Sequence, residues 1–192
     1  MKILVIADHM EPLLYENFSP ERFSDVDMVI SCGDLPQEYL TFIATMLNVP
    51  VFYVRGNHDT SYVLRPPEGC VNIDRRIIIY KGIRIMGLEG SHRYTYNAVQ
   101  YTEREMQWKI YMLKLKLWLS RGVDIIVSHA PPFGIHDLPD ICHQGFKTFR
   151  KLIEVYRPKY FLHGHIHLNY TKEKERVAKV SSTYVINAHR FY

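Results

Sequence analysis

Val51-Phe52-Tyr53-Val54-Arg55-Gly56-Asn57-His58-Asp59 is the stretch whose reading decides the fold. Its first four residues, all β-branched or aromatic, read as a buried strand. The run then ends at a glycine and presents an amide, an imidazole and a carboxylate. In an open α/β sheet, ligands bind outside the carboxyl ends of the strands. Asn57 offers a neutral oxygen to a cation there, and His58 can carry a proton. Taken alone, the stretch is equally a polar turn after a core strand. Its meaning depends on how the other strands end.

Upstream, residues 2–7 form an apolar run that stops at Asp8-His9-Met10-Glu11, and residues 27–31 form another that stops at Cys32-Gly33-Asp34. Between the second and third runs, Tyr39, Leu40, Ile43, Met46 and Leu47 recur at helical spacing, with Pro36 at the start and Pro50 beyond the end. Alternating strands and helices predict a parallel α/β core.

Downstream the pattern changes. Residues 76–80 and 83–88 are two β-rich runs joined by Lys81-Gly82, a hairpin signal. A glycine-containing loop, Glu89-Gly90-Ser91-His92-Arg93-Tyr94, follows. Thr102 and Glu105 form a capping box that predicts one long helix to Leu119 or Ser120, with Trp108 and Trp118 as packing residues. Residues 124–128 are an apolar strand ending at His129, and residues 133–145 are an irregular loop carrying His136, Asp137, Asp140 and His143. Phe146, Phe149, Leu152, Ile153 and Tyr156 trace a helix stopped by Pro158. Residues 160–162 are a strand ending in His163-Gly164-His165-Ile166-His167, where His163 reads as a neighbour of the ligands. Two final strands are expected over 169–180 and 183–188, with the charges of 172–176 on the solvated face of the first. One domain spanning 1–192, with mixed sheets, is the expectation.

The 192 residues, 47% hydrophobic and 23% charged, describe an ordinary globular protein. No apolar run approaches the roughly 20 residues that span a bilayer, and residues 1–7 are too short for a secretion signal. A cytoplasmic protein that does not engage membranes is therefore expected. Cys32, Cys70 and Cys142 have no metal-like spacing and read as inert thiols, not as a disulfide framework or a thiolate site. A net charge of +4 mildly favours anionic substrates, and without a Lys/Arg block nucleic acid is disfavoured.

Asp8, Asp34, Asn57, His129 and the pair His165/His167 all sit at the ends of apolar strands. Each has an ordinary alternative: a helix cap for an aspartate, a hydrogen-bonded strand end for a histidine. Parallel strands, however, deliver their carboxyl ends to one edge, so the joint occurrence points to one site. Carboxylate, amide oxygen and imidazole without thiolate suit Mn²⁺, Fe, Zn²⁺ or Ni²⁺ better than Ca²⁺ or a structural zinc. One carboxylate can bridge two such ions about 3.5–4 Å apart.

Gly33-Asp34, Gly56-Asn57-His58-Asp59, His129 and Gly164-His165-Ile166-His167, in this order after Asp8, resemble the calcineurin-like metallophosphoesterase family. The resemblance implies a four-layer αββα sandwich of two mixed β-sheets flanked by helices. It implies hydrolysis of a phosphomonoester or phosphodiester by attack of a metal-bound hydroxide at a dinuclear site holding two divalent ions, with Mn²⁺ the leading candidate. Asp34 would be the bridging carboxylate. Asn57, His129 and His165 would complete one metal site, while Asp8 and His167 contribute to the other. His58 would be the general acid and Asp59 would orient it. The substrate would be a small phosphorylated molecule, with Arg93 either contacting its phosphate or lying on the surface.

The family's first motif is usually Asp-x-His, and this chain has Met10 where that imidazole is expected. Water could fill the place, His9 or Glu11 could substitute, or the first site could bind metal weakly; a looser dinuclear centre is the expectation. Two rival functions are a non-catalytic scaffold of the same fold and a nuclease of the same superfamily. The intact Asn57-His58-Asp59 group favours an enzyme over a scaffold, and the lack of an added DNA-binding or coiled-coil region disfavours a nuclease. Association into a homo-oligomer is left open.

Overall fold

The computed structural model describes residues 1–96, 98–168 and 176–192. In chain order the elements are β1 (Ile3–Ala7), β2 (Met28–Ser31), α1 (Gln37–Leu47), β3 (Val51–Tyr53), β4 (Cys70–Asn72), β5 (Ile77–Tyr80), β6 (Ile83–Leu88), β7 (Ser91–His92), β8 (Gln100–Tyr101), α2 (Glu103–Tyr111), α3 (Lys114–Leu119), β9 (Ile125–Ser128), α4 (Lys147–Tyr156), β10 (Tyr160–His163), β11 (Val177–Val180), β12 (Thr183–Asn187) and β13 (Arg190–Phe191). They build two large sheets, ordered β13-β1-β2-β3-β4 and β11-β12-β10-β9-β6-β5, plus the small pair β7-β8.

Both large sheets are mixed. In the first, β1, β2, β3 and β4 run parallel and β13 is antiparallel to β1. In the second, β6, β9, β10 and β12 run parallel between the antiparallel edges β5 and β11. Strand side chains alternate between the two faces of a sheet, and this alternation generates three apolar layers. Val5, Ile30 and Phe52 meet Ile125, Val127 and Leu162 between the sheets. Leu4, Ile6 and Val29 turn the other way, onto Tyr39, Leu40 and Ile43 of α1. Ile126 and Phe161 face outward onto Ile110, Leu117 and Phe149 of the remaining helices. The result is the expected helix–sheet–sheet–helix sandwich.

The helix after Thr102 departs from expectation. Thr102 and Glu105 do form a capping box, but the helix breaks after Tyr111 and restarts at Lys114. At the break Leu113 N–H bonds the carbonyl of Ile110, a tight three-residue turn, with the Leu113 side chain in the core. Trp108 and Trp118 are not packing residues: they are 62% and 74% exposed, on a face shared with Tyr111, Met112, Leu115 and Leu119. The segment carries two apolar stripes, and Met106, Ile110, Leu113 and Leu117 are the ones that reach the sheet.

β4, β7, β8 and β13 were not expected, being only two or three residues long. Of the two final strands, the second begins at Thr183 as expected, and Val177–Val180 is the described part of the first; residues 169–175, with most of the charged run of 172–176, lie outside the described residues. Its last member, Arg176, donates to the carbonyls of His189 and Phe191. Among the described residues, no helix is long and apolar enough to cross a membrane.

Candidate metal centre

The parallel strands of both sheets end along one edge, and the predicted ligands sit in the turns just beyond them. Three of these residues, Asp8, Asp34 and His165, hold positive φ angles of 65°, 56° and 69°. A non-glycine residue there is strained, and such strain concentrates at functional sites. The neighbouring glycines allow the close approach. A Cβ on Gly164 would lie 2.7 Å from the Ala7 side chain and 2.9 Å from Asp8 Oδ2. Only a bare backbone brings the His165 turn this near to the end of β1.

His129 is fully buried after β9. Its Nδ1 lies 2.8 Å from the carbonyl of Cys32, which can only accept, so Nδ1 carries a proton. That leaves Nε2, 3.0 Å from Asn57 Oδ1 and 3.2 Å from Asp34 Oδ2, as the ring's working atom. Asn57 Nδ2 donates to Tyr94 Oη at 3.1 Å, which turns the amide oxygen inward. The His165 ring stands 4.8 Å from the His129 ring. Its Nε2 donates to the carbonyl of Cys142 at 2.7 Å, leaving Nδ1 available. Candidate ligand atoms of Asp34, His129 and His165 lie within 4.8 Å of one another.

The second group is Asp8, His167 and His189, again within 4.8 Å. The Asp8 side chain is fully buried; Oδ1 accepts the His165 backbone N–H at 2.8 Å, while Oδ2 has no hydrogen-bond partner. Met10 is 41% exposed and turned to solvent, and His9 is exposed beside it. His189 is a residue that sequence reasoning missed. The signal was present, because β12 is parallel to β10 and its carboxyl end reaches the same edge. Tyr94, in the glycine-containing loop of 89–94, was given no role of its own from the sequence.

Charges in the centre favour opposite signs. Burial opposes ionisation of Asp34, but His129 beside it holds the carboxyl below its ordinary value. Burial likewise works against a charged His129, yet Asp34 holds that imidazole above its ordinary value. Burial, and then the nearness of His129, push His165 down to about 4, so it stays neutral and able to ligate.

One expectation is corrected by this geometry. Asp59 does not orient the ring of His58: its Oδ2 accepts the backbone N–H groups of Asp34 at 2.7 Å and Gly56 at 2.8 Å. The short 3-10 turn that starts at Asp59 aims the carboxylate back under those two loops. Burial, with Asp34 close by, raises its pKa to about 7. Arg93 lies on the surface, one of its two expected places, where Nη2 donates to Glu105 Oε1 at 2.9 Å and to the Gln100 carbonyl at 3.3 Å. His58 itself is exposed, its backbone N–H bonded to Asp34 Oδ1 at 2.8 Å. It lines a cleft of about 530 Å³ together with Asp34, Gln37, Ser61 and Arg65.

The loop of 133–145 packs over the other side of the centre. The His143 ring lies 5.3 Å from the His165 ring at a tilt of 38°, and His136 Nδ1 lies 2.8 Å from Nε2 of the buried His163. His163, buried at the end of β10, thus bonds the loop and not a ligand side chain. Cys142, in one cluster with Asp140 and His143, borders the site, which sets it apart from the fully buried Cys32.

The sequence matches the calcineurin-like phosphoesterase family over residues 1–169. The chain belongs to that family. As a calcineurin-like phosphoesterase it is 30% identical over 204 residues to the uncharacterized protein MJ1162 of Methanocaldococcus jannaschii, covering 97% of this chain and 87% of that protein. Its fold is similar to TT1561 of Thermus thermophilus, with a TM-score of 0.67 at 15% identity over 98% of this chain and 88% of the other. It is also similar to a dimetal phosphatase from Danio rerio, with a TM-score of 0.62 at 14% identity over 98% and 90%.

Proposed function

We propose that the chain is a metal-dependent phosphoesterase hydrolysing a small phosphomonoester or phosphodiester. The observation that carries this reading is the pairing of two ligand clusters at the sheet edge with an exposed histidine on an open cleft beside them.

The residues fit divalent cations. Asp8 Oδ2 is buried without a hydrogen-bond partner, a costly arrangement that a cation relieves. Asn57, His129 and His165 would hold one ion and Asp8 and His167 the other, with Asp34 contributing to both. Oxygen and imidazole donors without thiolate suit Mn²⁺, Fe or Zn²⁺. When bound, two such ions polarise a phosphoryl group and lower the pKa of a water.

The chain's own groups supply the rest. His58, tethered through its backbone to Asp34, gives a proton to the leaving oxygen from the cleft side. Arg65, on the same cleft, binds a remaining phosphate oxygen. Asp59 keeps the His58 and Asp34 loops in register.

The test is metal analysis of the purified protein followed by assay against phosphomonoesters, cyclic nucleotides and small diesters with Mn²⁺. Chelator-sensitive release of phosphate or alcohol from one class supports the reading. No turnover with any class, in protein that retains bound metal, overturns it in favour of a scaffold.

A further inference from the structure

Met10 leaves the first cation site one imidazole short; His9 and Met10 both face solvent, and Glu11 belongs to neither ligand cluster. On the opposite side of Asp8 lies His189, only 2% exposed. Its ring stacks on His167 at 4.6 Å, and its Nδ1 is 3.4 Å from Asp8 Oδ2. Neither atom has a hydrogen-bond partner, although both are buried. Two buried polar atoms facing each other without a bond need an explanation. Ligands held at about 2.0–2.1 Å in a tetrahedral shell lie about 3.4 Å apart, which is the spacing these two atoms have.

His189 is also held as a ligand should be. β12 ends in the second sheet and β13 begins in the first, so His189 occupies the crossing between them. Its N–H donates to Asn187 Oδ1 at 3.0 Å, and Arg176 Nη2 donates to its carbonyl at 2.8 Å. Asn187 Nδ2 reaches the carbonyl of Ile166 between the two ligand histidines. The chain then reverses at Arg190, φ 67°, and pairs with β1 immediately before Asp8, Ala7 opposite Arg190. The ring is thus fixed against Asp8 by both sheets.

We propose that His189 is the imidazole ligand of the first cation site, completing with Asp8 and His167 the set that Met10 leaves short. This rests on the reading of the centre as a two-cation phosphoesterase site.

Co²⁺ is the probe, titrated into full-length protein and followed by visible absorption and by metal content after dialysis. Two ions per chain are expected. His189→Ala should retain one tightly bound ion and weaken the other at least about tenfold, with Met10→Ala and His9→Ala unchanged. Wild-type affinity for both ions in His189→Ala overturns the proposal, as does loss of the ion on changing Met10 or His9. A wild-type chain that binds no Co²⁺ overturns the phosphoesterase reading as well, so the two failures are distinct. Should His189→Ala fail to fold, histidine-ring ¹⁵N spectra of the wild-type chain titrated with Zn²⁺ decide. Nδ1 of His189 should shift together with the His167 ring; movement of His167 alone overturns the proposal.

Discussion

Asp59 Oδ2 accepts the backbone N–H of Asp34 at 2.7 Å, joining two loops 25 residues apart in sequence. The same oxygen takes the N–H of Gly56, so one carboxyl braces both turns that carry the central ligands. Asp59→Ala leaves two buried donors unpaired and should cost about 2 kcal/mol in urea unfolding, with weaker binding of Mn²⁺ by calorimetry. Asp59→Asn keeps an acceptor oxygen in place and should lose less than half as much. Equal losses in the two variants would remove the bracing role.

His58→Ala tests the proton donor. Turnover should fall about 10²–10⁴-fold, while metal content stays at the wild-type level, because its ring lies outside both ligand clusters. A substrate whose leaving group is already a good one should suffer less. Kinetics across leaving groups of different pKa, paired with metal analysis, make the check.

Asp34→Ala should weaken both ions together, since its carboxylate is the group proposed to be shared. Metal content per chain after dialysis is the readout. Loss of a single ion would assign Asp34 to one site only.

Gly164→Ala tests the approach of the two sheets at the centre. The added methyl carbon would meet the Ala7 side chain at 2.7 Å and both Asp8 oxygens within about 3 Å. Thermal unfolding should show a loss of about 1–3 kcal/mol, and metal retention should fall because Asp8 must move. Wild-type stability and metal content would show that the turn relaxes freely.

Glu89 gives a pH dependence with a defined sign. It is buried and accepts from Arg55 Nε at 2.8 Å and Tyr101 Oη at 2.6 Å, with Lys109 Nζ at 3.5 Å. Burial alone would raise its pKa, but Arg55 and then Lys109 bring it below 4.5. A depressed folded-state pKa stabilises the protein above the unfolded value, and that stability is lost as pH falls through the folded value. Unfolding free energy should therefore decline below about pH 4.5. Glu89→Gln should remove this part of the decline and cost about 3 kcal/mol at neutral pH, measured by urea titration over a pH series.

Much of this architecture is legible in the sequence, because the signals concerned are long and repeated. Residues 2–7, 51–54 and 124–128 announce buried strands by apolar content alone, and the capping box at Thr102 names a helix start that the structure contains. What escaped was set by tertiary fit. Nothing local says which of two apolar stripes between Met106 and Leu119 will face the sheet, so the two tryptophans were assigned to the wrong side. Asp59 sits where a partner for His58 is expected, yet only the folded loops reveal two nearer backbone donors. Arg93 has its partner Glu105 twelve residues away, a contact made by the β7–β8 pairing and the start of α2. His189 was hidden differently: β12 was recognised, but its carboxyl end was not followed to the common edge.

The exposed helical face has a practical consequence. Trp108 and Trp118 are the chain's two tryptophans, and both stand in water on α2 and α3. Their emission should therefore be red-shifted in the native protein already, and should change little when the sandwich melts. Tryptophan fluorescence will understate unfolding of this protein, whereas tyrosine emission or far-ultraviolet dichroism will follow it. The same indoles make a clean optical reporter for anything that covers that one face, with no contribution from the core.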